Sequence, residues 1–475
     1  MPHTPGQSQT DEPEGRKKSV RARERSSFHA KASRKEQLNF GRTLREKVPR
    51  SSHAKWKPAA NRPDPIQFLQ HHDRGRIKEL LPIRYQRMRE SAFAFYRGAA
   101  ALMAFDLWHT PVTRLRVQVC GDCHIANFGG FGSPERRLVF DINDFDETLP
   151  GPWEWDVKRL AASIVLSGRD LGIRDRDCAD VAQAAIESYR KRMRRYAQMC
   201  ALDVWYSQLD AEILIEEGRS PSSKKRWRKA EAEARKETAR HALPQLAERK
   251  HGRVRILDRP PLVYHPPGMK RRTKFIGNMF QRYRQTLPDE RRIILDRYHI
   301  VDMARKVVGV GSVGTRCACM LLMAENDDPL FLQFKQANAS VLESYVGKSR
   351  YDNHGERVVT GQRMLQAASD IFLGWTRDDA GNDYYFRQLR DMRMKIELGK
   401  LPKTDWAEYA EVCGWALARA HARTGDPAMI AGYLGKNDSF DIAISKFAVK
   451  YADQTERDHE ALLRAIRAGR IRAHG

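Results

Sequence analysis

Two periodicities alternate along the chain. Apolar residues recur at helical spacing over Ile77–Met103, with a break at Pro82, whereas Leu115-Arg-Val-Gln-Val119 alternates with the two-residue period of a half-buried strand. That strand runs into Cys120-Gly121-Asp122, and Arg136–Phe140 predicts a second short strand ending at Asp141. A helical region follows from Val157 to about Leu214, then a charge-dense stretch over 216–260 that predicts an exposed helix and connector. From Val301 the character changes. Val307-Val-Gly-Val-Gly-Ser-Val-Gly314 and Cys317–Met323 predict strand, glycine turn, strand, and Leu330–Phe334 predicts another strand ending at Lys335. Residues 356–372 predict a helix, Tyr384–Leu389 a strand, and Asp405–Arg423 and Asp441–Ile466 amphipathic helices, with no internal repeat.

Composition narrows the class. With 475 residues, 41% hydrophobic and 9% aromatic, the chain can bury the cores of two lobes. No apolar stretch approaches the roughly 18 residues of a membrane span, and the opening MPHTPGQSQTDEPEG lacks an apolar leader core, so a cytoplasmic bacterial protein is expected. Seven cysteines, an odd number, argue for reduced thiols. Cys120 and Cys123 have zinc-ligand spacing but no second pair follows, so they, like Cys317 and Cys319, read as buried small hydrophobes. The net charge of +25 is concentrated at the start, where residues 1–60 hold 15 Lys/Arg against 6 Asp/Glu. This predicts a disordered basic tail, either simply solvated or in weak contact with nucleic acid or an anionic surface.

Two fragments carry chemistry, and both point to phosphoryl transfer, which needs a positioned hydroxyl, a hard metal ion and fixed positive charge. Asp122 and Asn127 have the five-residue offset of a kinase catalytic loop, in which the Asp takes the hydroxyl proton and the Asn helps hold metal. Asp141, at a strand end, is the expected main magnesium carboxylate, with Asp144 as a further metal ligand; Asp144 and Asp146 could also select a cationic substrate or be simple turn residues. Gly309, Gly311, Ser312 and Gly314 predict a hairpin loop over the phosphates of ATP, with Lys335 on the α/β-phosphates. The alternatives fit less well: a dinucleotide fingerprint needs a helix and an acid downstream, and no Gly-Lys-Ser/Thr closes a Walker loop. Glu343 is expected to orient Lys335, with Glu356 competing, and surface exposure is the simpler account of either. His124 reads as a packing residue of the loop.

Gly121-Asp-Cys-His-Ile-Ala-Asn127, Val139-Phe-Asp141 and Trp155-Asp-Val-Lys-Arg-Leu-Ala161 resemble the aminoglycoside phosphotransferase and choline kinase pattern. From about residue 65 the chain more closely resembles an uncharacterised bacterial family, domain of unknown function 2252, in RYQRM, FAFYRGAA, GDCHIANFGGF, GQRMLQAASDIFLGW and YADQTERDH. The resemblance implies a kinase-like fold, with Asp122 as base, Asn127 and Asp141 on metal, and Asp156 as a buried brace. Cys120 stands where the pattern has His, and Asp141 is followed by Ile142-Asn143 rather than Phe-Gly.

The glycine loop follows the catalytic loop here, the reverse of the usual order. In similar kinases a helix of the type L-A-x-L-H directly precedes the catalytic strand, and here Trp415-Ala-Leu-Ala-Arg-Ala-His421 lies far after it. One cut and one join restore the order, which predicts an α+β, bilobal, circularly permuted kinase-like fold. The expected parts are a tail over 1–62, a catalytic lobe over 63–300 with its charged insertion, a glycine-loop lobe over 301–400, and helices over 401–475 completing the catalytic lobe. The function expected is ATP- and Mg2+-dependent phosphate transfer to an unidentified small-molecule or protein hydroxyl. Nucleotidyl transfer at the same site, a silent nucleotide-binding regulator, and a nuclease using Asp122, Asp141, Asp144 and Asp146 are the alternatives.

Overall fold

A computed structural model describes residues 32–473 apart from 219–220, 251–252, 268–272, 390 and 395. Helix α1 (Arg34–Lys47) corrects the expectation of a tail reaching residue 62. Ser33 and Glu36 form a reciprocal capping box, the Glu36 carboxylate accepting the Ser33 N–H at 2.6 Å. Gly41 then lets α1 lie directly on the helix Pro427–Leu434, since a Cβ there would sit 2.0 Å from the Met429 carbonyl. Farther on, Trp56 packs edge-on to Tyr451, and Arg62 bridges the buried Asp106 and Asp458. The first 31 residues of the expected tail lie outside the described residues.

The helical lobe continues with α2 (Leu81–Arg89) and α3 (Ala92–Gly98). Strand β1 (Arg116–Val119) leads to the hairpin β2 (Phe128–Gly132) and β3 (Leu138–Ile142), and β4 (Leu149–Pro152) returns antiparallel to β1. Helices α4 (Trp153–Asp170) and α5 (Asp175–Tyr196) follow, and the core between them is built on large buried rings, Trp153 stacking on Tyr189. A helix over Pro221–Lys236, another over Ala239–Leu246 and the hairpin β5 (Ala247–Lys250), β6 (Arg253–Ile256) make up the charged insertion.

A six-stranded antiparallel sheet follows, in the order Gly374–Arg377, Asp383–Gln388, Asp328–Ala337, Cys317–Ala324, His299–Lys306, Val263–Tyr264. It starts earlier than residue 301, with β7 (Val263–Tyr264) and α6 (Thr273–Gln285), whose Tyr283 stacks on Phe386 at 4.0 Å. Strands β8 (His299–Lys306) and β9 (Cys317–Ala324) flank the glycine loop, and β10 (Asp328–Ala337) carries Lys335. Helix α7 (His354–Leu365), β11 (Gly374–Arg377) and β12 (Asp383–Gln388) complete it. One sheet face packs on α6; the other, through Cys319, Leu321 and Phe331, is covered by Ala247 and Ile256 of the insertion.

The chain then returns to the helical core as α8 (Lys403–Thr424) and α9 (Ser439–Arg467). Helix α8 runs against α5 and ends beside β1, where the Gln118 N–H donates to Thr424 Oγ1 at 3.2 Å. No helix among the described residues is long and apolar enough to cross a membrane.

Candidate functional site

The chain leaves β1 through Cys120-Gly121-Asp122. Gly121 adopts φ +80°, and a Cβ there would lie 2.4 Å from the Glu147 carbonyl oxygen, so both conformation and space call for glycine. Asp156, in the first turn of α4, accepts the N–H groups of Cys120 at 2.7 Å and Gly121 at 3.1 Å. Its Oδ2 also lies 3.3 Å from Nε2 of His421, whose Nδ1 faces the Tyr189 hydroxyl at 3.0 Å. The loop is thus braced from α4 and α8 together.

Asp122 pairs with Arg159, Nε to Oδ1 at 2.6 Å, yet its side chain keeps 20% of its surface exposed. Asn127 donates to the Asp122 carbonyl at 2.6 Å, tying the two ends of the loop. His124 is buried 4.0 Å from Asp122 Oδ2; burial, then Arg97 and Arg159, push its pKa well below the usual value, so the ring stays neutral. Cys120, Cys123 and Asp156 hold donor atoms within 4.8 Å of one another. Burial raises both thiols and Asp156 is already engaged by backbone, so the pair reads as part of the packed brace.

Asp141 does not face the cleft. Its carboxylate is fully buried: Oδ1 accepts from Arg419 at 2.8 Å and the Ile142 N–H at 2.9 Å, Oδ2 from Arg419 at 2.7 Å and the Ala367 N–H at 3.1 Å. With both oxygens fully engaged no lone pair is left for a metal, which corrects the role expected of this residue. The reason is the pleat: β3 ends at Ile142, so Asp141 still belongs to the strand, opposite Gly129, and Asp144 is the carboxylate that emerges beyond it.

Asp144 and Asp146 meet Lys335. The Lys335 Nζ bonds Asp146 Oδ2 and lies 3.9 Å from Asp144 Oδ2. Tyr385 Oη donates to Asp146 Oδ1 at 2.9 Å, and Ser312 Oγ of the glycine loop to Asp146 Oδ2 at 3.3 Å. Burial disfavours charge on Lys335, but Asp144 and Asp146 outweigh it and hold the ammonium protonated. Burial likewise pushes Asp146 up, yet Lys335 carries it below the ordinary carboxylate range, while Asp144 is raised by burial and by the Asp146 charge. Two fragments nearly 200 residues apart in sequence therefore share one ion-pair cluster, |i−j| being 189 for Lys335 and Asp146.

The glycine loop is held by arginines. Gly309 and Gly314 take φ of +63° and +91°. Arg87 bonds the Gly309 carbonyl, Arg84 those of Val310 and Gly311 at 2.9 and 3.0 Å, and Arg76 that of Val313 at 2.6 Å. Among the described residues the N–H groups of Gly311, Ser312 and Gly314 have no hydrogen-bond acceptor. A loop with its carbonyls drawn away and its N–H groups unspent is suited to an anion.

Neither expected glutamate reaches Lys335. Glu343 lies 3.8 Å from His354 Nδ1, and the Glu356 N–H is taken by the cap residue Asn353. The helix α7 instead sends Arg357 to the carbonyls of Asp146, Thr148 and Asn338. Arg159, Arg357, Arg419 and Glu147 are site residues that spacing alone did not single out; Arg159 and Arg419 stood inside quoted motifs, unused. Burial pushes Glu147 up to about 7, although it accepts the Val341 N–H at 2.7 Å. A cavity of 340 Å³ borders this cluster without containing it and is lined by Gly130, Asn143, Gln333, Gln366, Asp370 and Arg387.

No curated protein matches the chain, and no solved structure does. A family model described as "Uncharacterized protein conserved in bacteria (DUF2252)" matches residues 76–465, which is most of the chain; the protein belongs to that family.

Proposed function

We propose that the protein is an ATP- and magnesium-dependent phosphotransferase on a circularly permuted kinase-like bilobal fold, acting on a hydroxyl-bearing acceptor. The observation that carries this reading is the meeting of Lys335 and Ser312 from the sheet lobe with Asp144 and Asp146, which follow the catalytic loop. The arrangement of elements supports it. Lys335 lies on the third strand counted from the first strand of the glycine hairpin, and a helix follows, as in kinases. Helix α8, with the Trp415–His421 motif, ends beside β1 although it comes at the far end of the chain.

In this reading Asp122 accepts the proton of the attacking hydroxyl, Arg159 holding its carboxylate in position. Lys335 and the free N–H groups of the glycine loop bind phosphate, so the Lys335–Asp146 pair opens when nucleotide enters. Asp144 and Asn127 would hold magnesium, which supplies neutralisation of phosphate charge. Asp122, Asp144 and Asp146 are not drawn into one coordination sphere among the described residues. That suits magnesium, which takes one or two carboxylates and completes its shell with water and phosphate oxygens.

The test is thermal stabilisation by Mg-ATP in the wild type, Asp144→Asn and Lys335→Ala, with product analysis. Stabilisation of the wild type that both variants lose is expected, with ADP as product. Pyrophosphate would make it a nucleotidyl transferase, and binding without turnover across candidate acceptors a silent nucleotide binder. No response of the wild type to Mg-ATP refutes the reading.

A further inference from the structure

Helix α3 lies between the two loops and is latched to both. On one side Arg84 joins the Gly98 carbonyl, at 2.7 Å, to the glycine loop, and a Cβ on Gly311 would come 3.1 Å from the Arg97 carbonyl. On the other, Tyr96 Oη donates to the Arg159 carbonyl at 2.8 Å, and Phe93 packs edge-on to His124. The next side chain, Arg97, leans over the Phe93 ring at 5.8 Å and is drawn by the charges of Asp122, Glu90 and Asp144.

What sets Arg97 apart is that its charge is uncommitted. Lys335 is bonded to Asp146, Arg159 to Asp122, Arg357 to three carbonyls, and Arg387 to Gln333 and the Asn143 carbonyl. Arg97 forms no ion pair among the described residues, and its buried Nε has no hydrogen-bond partner. A buried guanidinium donor left unpaired is costly, and five donors in a planar fork match a phosphate. Burial disfavours its charge, which Asp122, Glu90 and Asp144 offset only in part, and among the described residues none of them forms an ion pair with it.

Resting on the phosphotransferase reading, we infer that Arg97 binds the terminal phosphate of the nucleotide, entering from α3 between the catalytic and glycine loops. It acts there as an arginine supplied within the chain, stabilising the charge of the phosphoryl group as it transfers. Lys335 and the glycine loop hold the inner phosphates; Arg97 distinguishes a nucleoside triphosphate from a diphosphate.

The experiment compares calorimetric binding of Mg-ATP and Mg-ADP, without acceptor, to the wild type, Arg97→Ala and Arg97→Lys. The expected result is a loss of about tenfold or more in ATP affinity for Arg97→Ala, with ADP affinity nearly unchanged and Arg97→Lys in between. Thermal melts without ligand show that each variant is folded, and Arg97→Lys serves if the alanine variant is not. Equal weakening of ATP and ADP, or no change in either, overturns the role of Arg97 while the phosphotransferase reading stands. A wild type that binds neither nucleotide overturns both.

Discussion

Replacing Asp141 with Asn separates a structural carboxylate from a metal ligand. Asp141 and Arg419 are both 0% exposed, and Arg419 Nη2 finds only the Leu365 carbonyl besides Asp141. Its Nε and Nη1 already lack partners. Asn fills the same space but removes the charge, leaving a guanidinium buried without its counter-ion, which costs about 3–5 kcal/mol. Unfolding entropy of about 2.1 cal/mol/K per residue over roughly 440 residues gives ~0.9 kcal/mol/K, so Tm should fall by about 3–5 °C if the chain melts as one unit. The double change Asp141→Leu with Arg419→Met removes both charges together and should recover most of that loss. The assay is a thermal melt without ligand, repeated with Mg-ATP. If Asp141→Asn melts like the wild type and loses only its magnesium response, Asp141 is a metal ligand and the argument from its hydrogen bonds fails.

Three further outcomes follow from the same geometry. Glu147, raised to about 7 in the folded state, keeps its proton longer than in the unfolded chain, so its contribution is complete below its unfolded pKa near 4.5 and is lost as pH rises through 7. The unfolding free energy of the wild type, from denaturant titration, should fall by ~2–3 kcal/mol more over that window than that of Glu147→Gln. Gly121→Ala forces a side chain into positive φ and onto the Glu147 carbonyl, which is itself held by the Ser340 hydroxyl; unfolding curves should show a loss of about 1–3 kcal/mol from the backbone alone. Arg62→Ala leaves Asp106 and Asp458 buried and facing each other, so unfolding curves should show a loss of about 3–5 kcal/mol at pH 7 that shrinks on acidification, as Asp106, whose pKa burial raises, takes up its proton. An Arg62→Ala loss that is independent of pH would place the cost in packing instead.

What was legible in the chain was what is local. The glycine hairpin, the strand ending at Lys335 and the strand entering Asp122 were each readable because periodicity and turn residues act within ten residues or so. The burial of Asp141 was not, because Asp141 and Asp144 stand on either side of a strand end, and spacing cannot say whether the pleat stops at Phe140 or, as it does, at Ile142. Glu343 and Glu356 were natural partners for Lys335 by sequence distance, yet Asp146 holds it, 189 positions away. The ordering of residues 33–62 rested on a capping box and on a glycine contact with Met429, and net charge concealed both.

The brace on Asp156 also bears on how the protein is made. The loop at residues 120–127 leaves the ribosome about 300 residues before His421 and Arg419, an interval of roughly 15–60 s at ordinary rates of synthesis. Through that time Asp156 and Asp141 are without the two side chains that later meet them in the core. The nascent chain therefore carries an unfinished loop until α8 has been made, and a product truncated before α8 has neither contact.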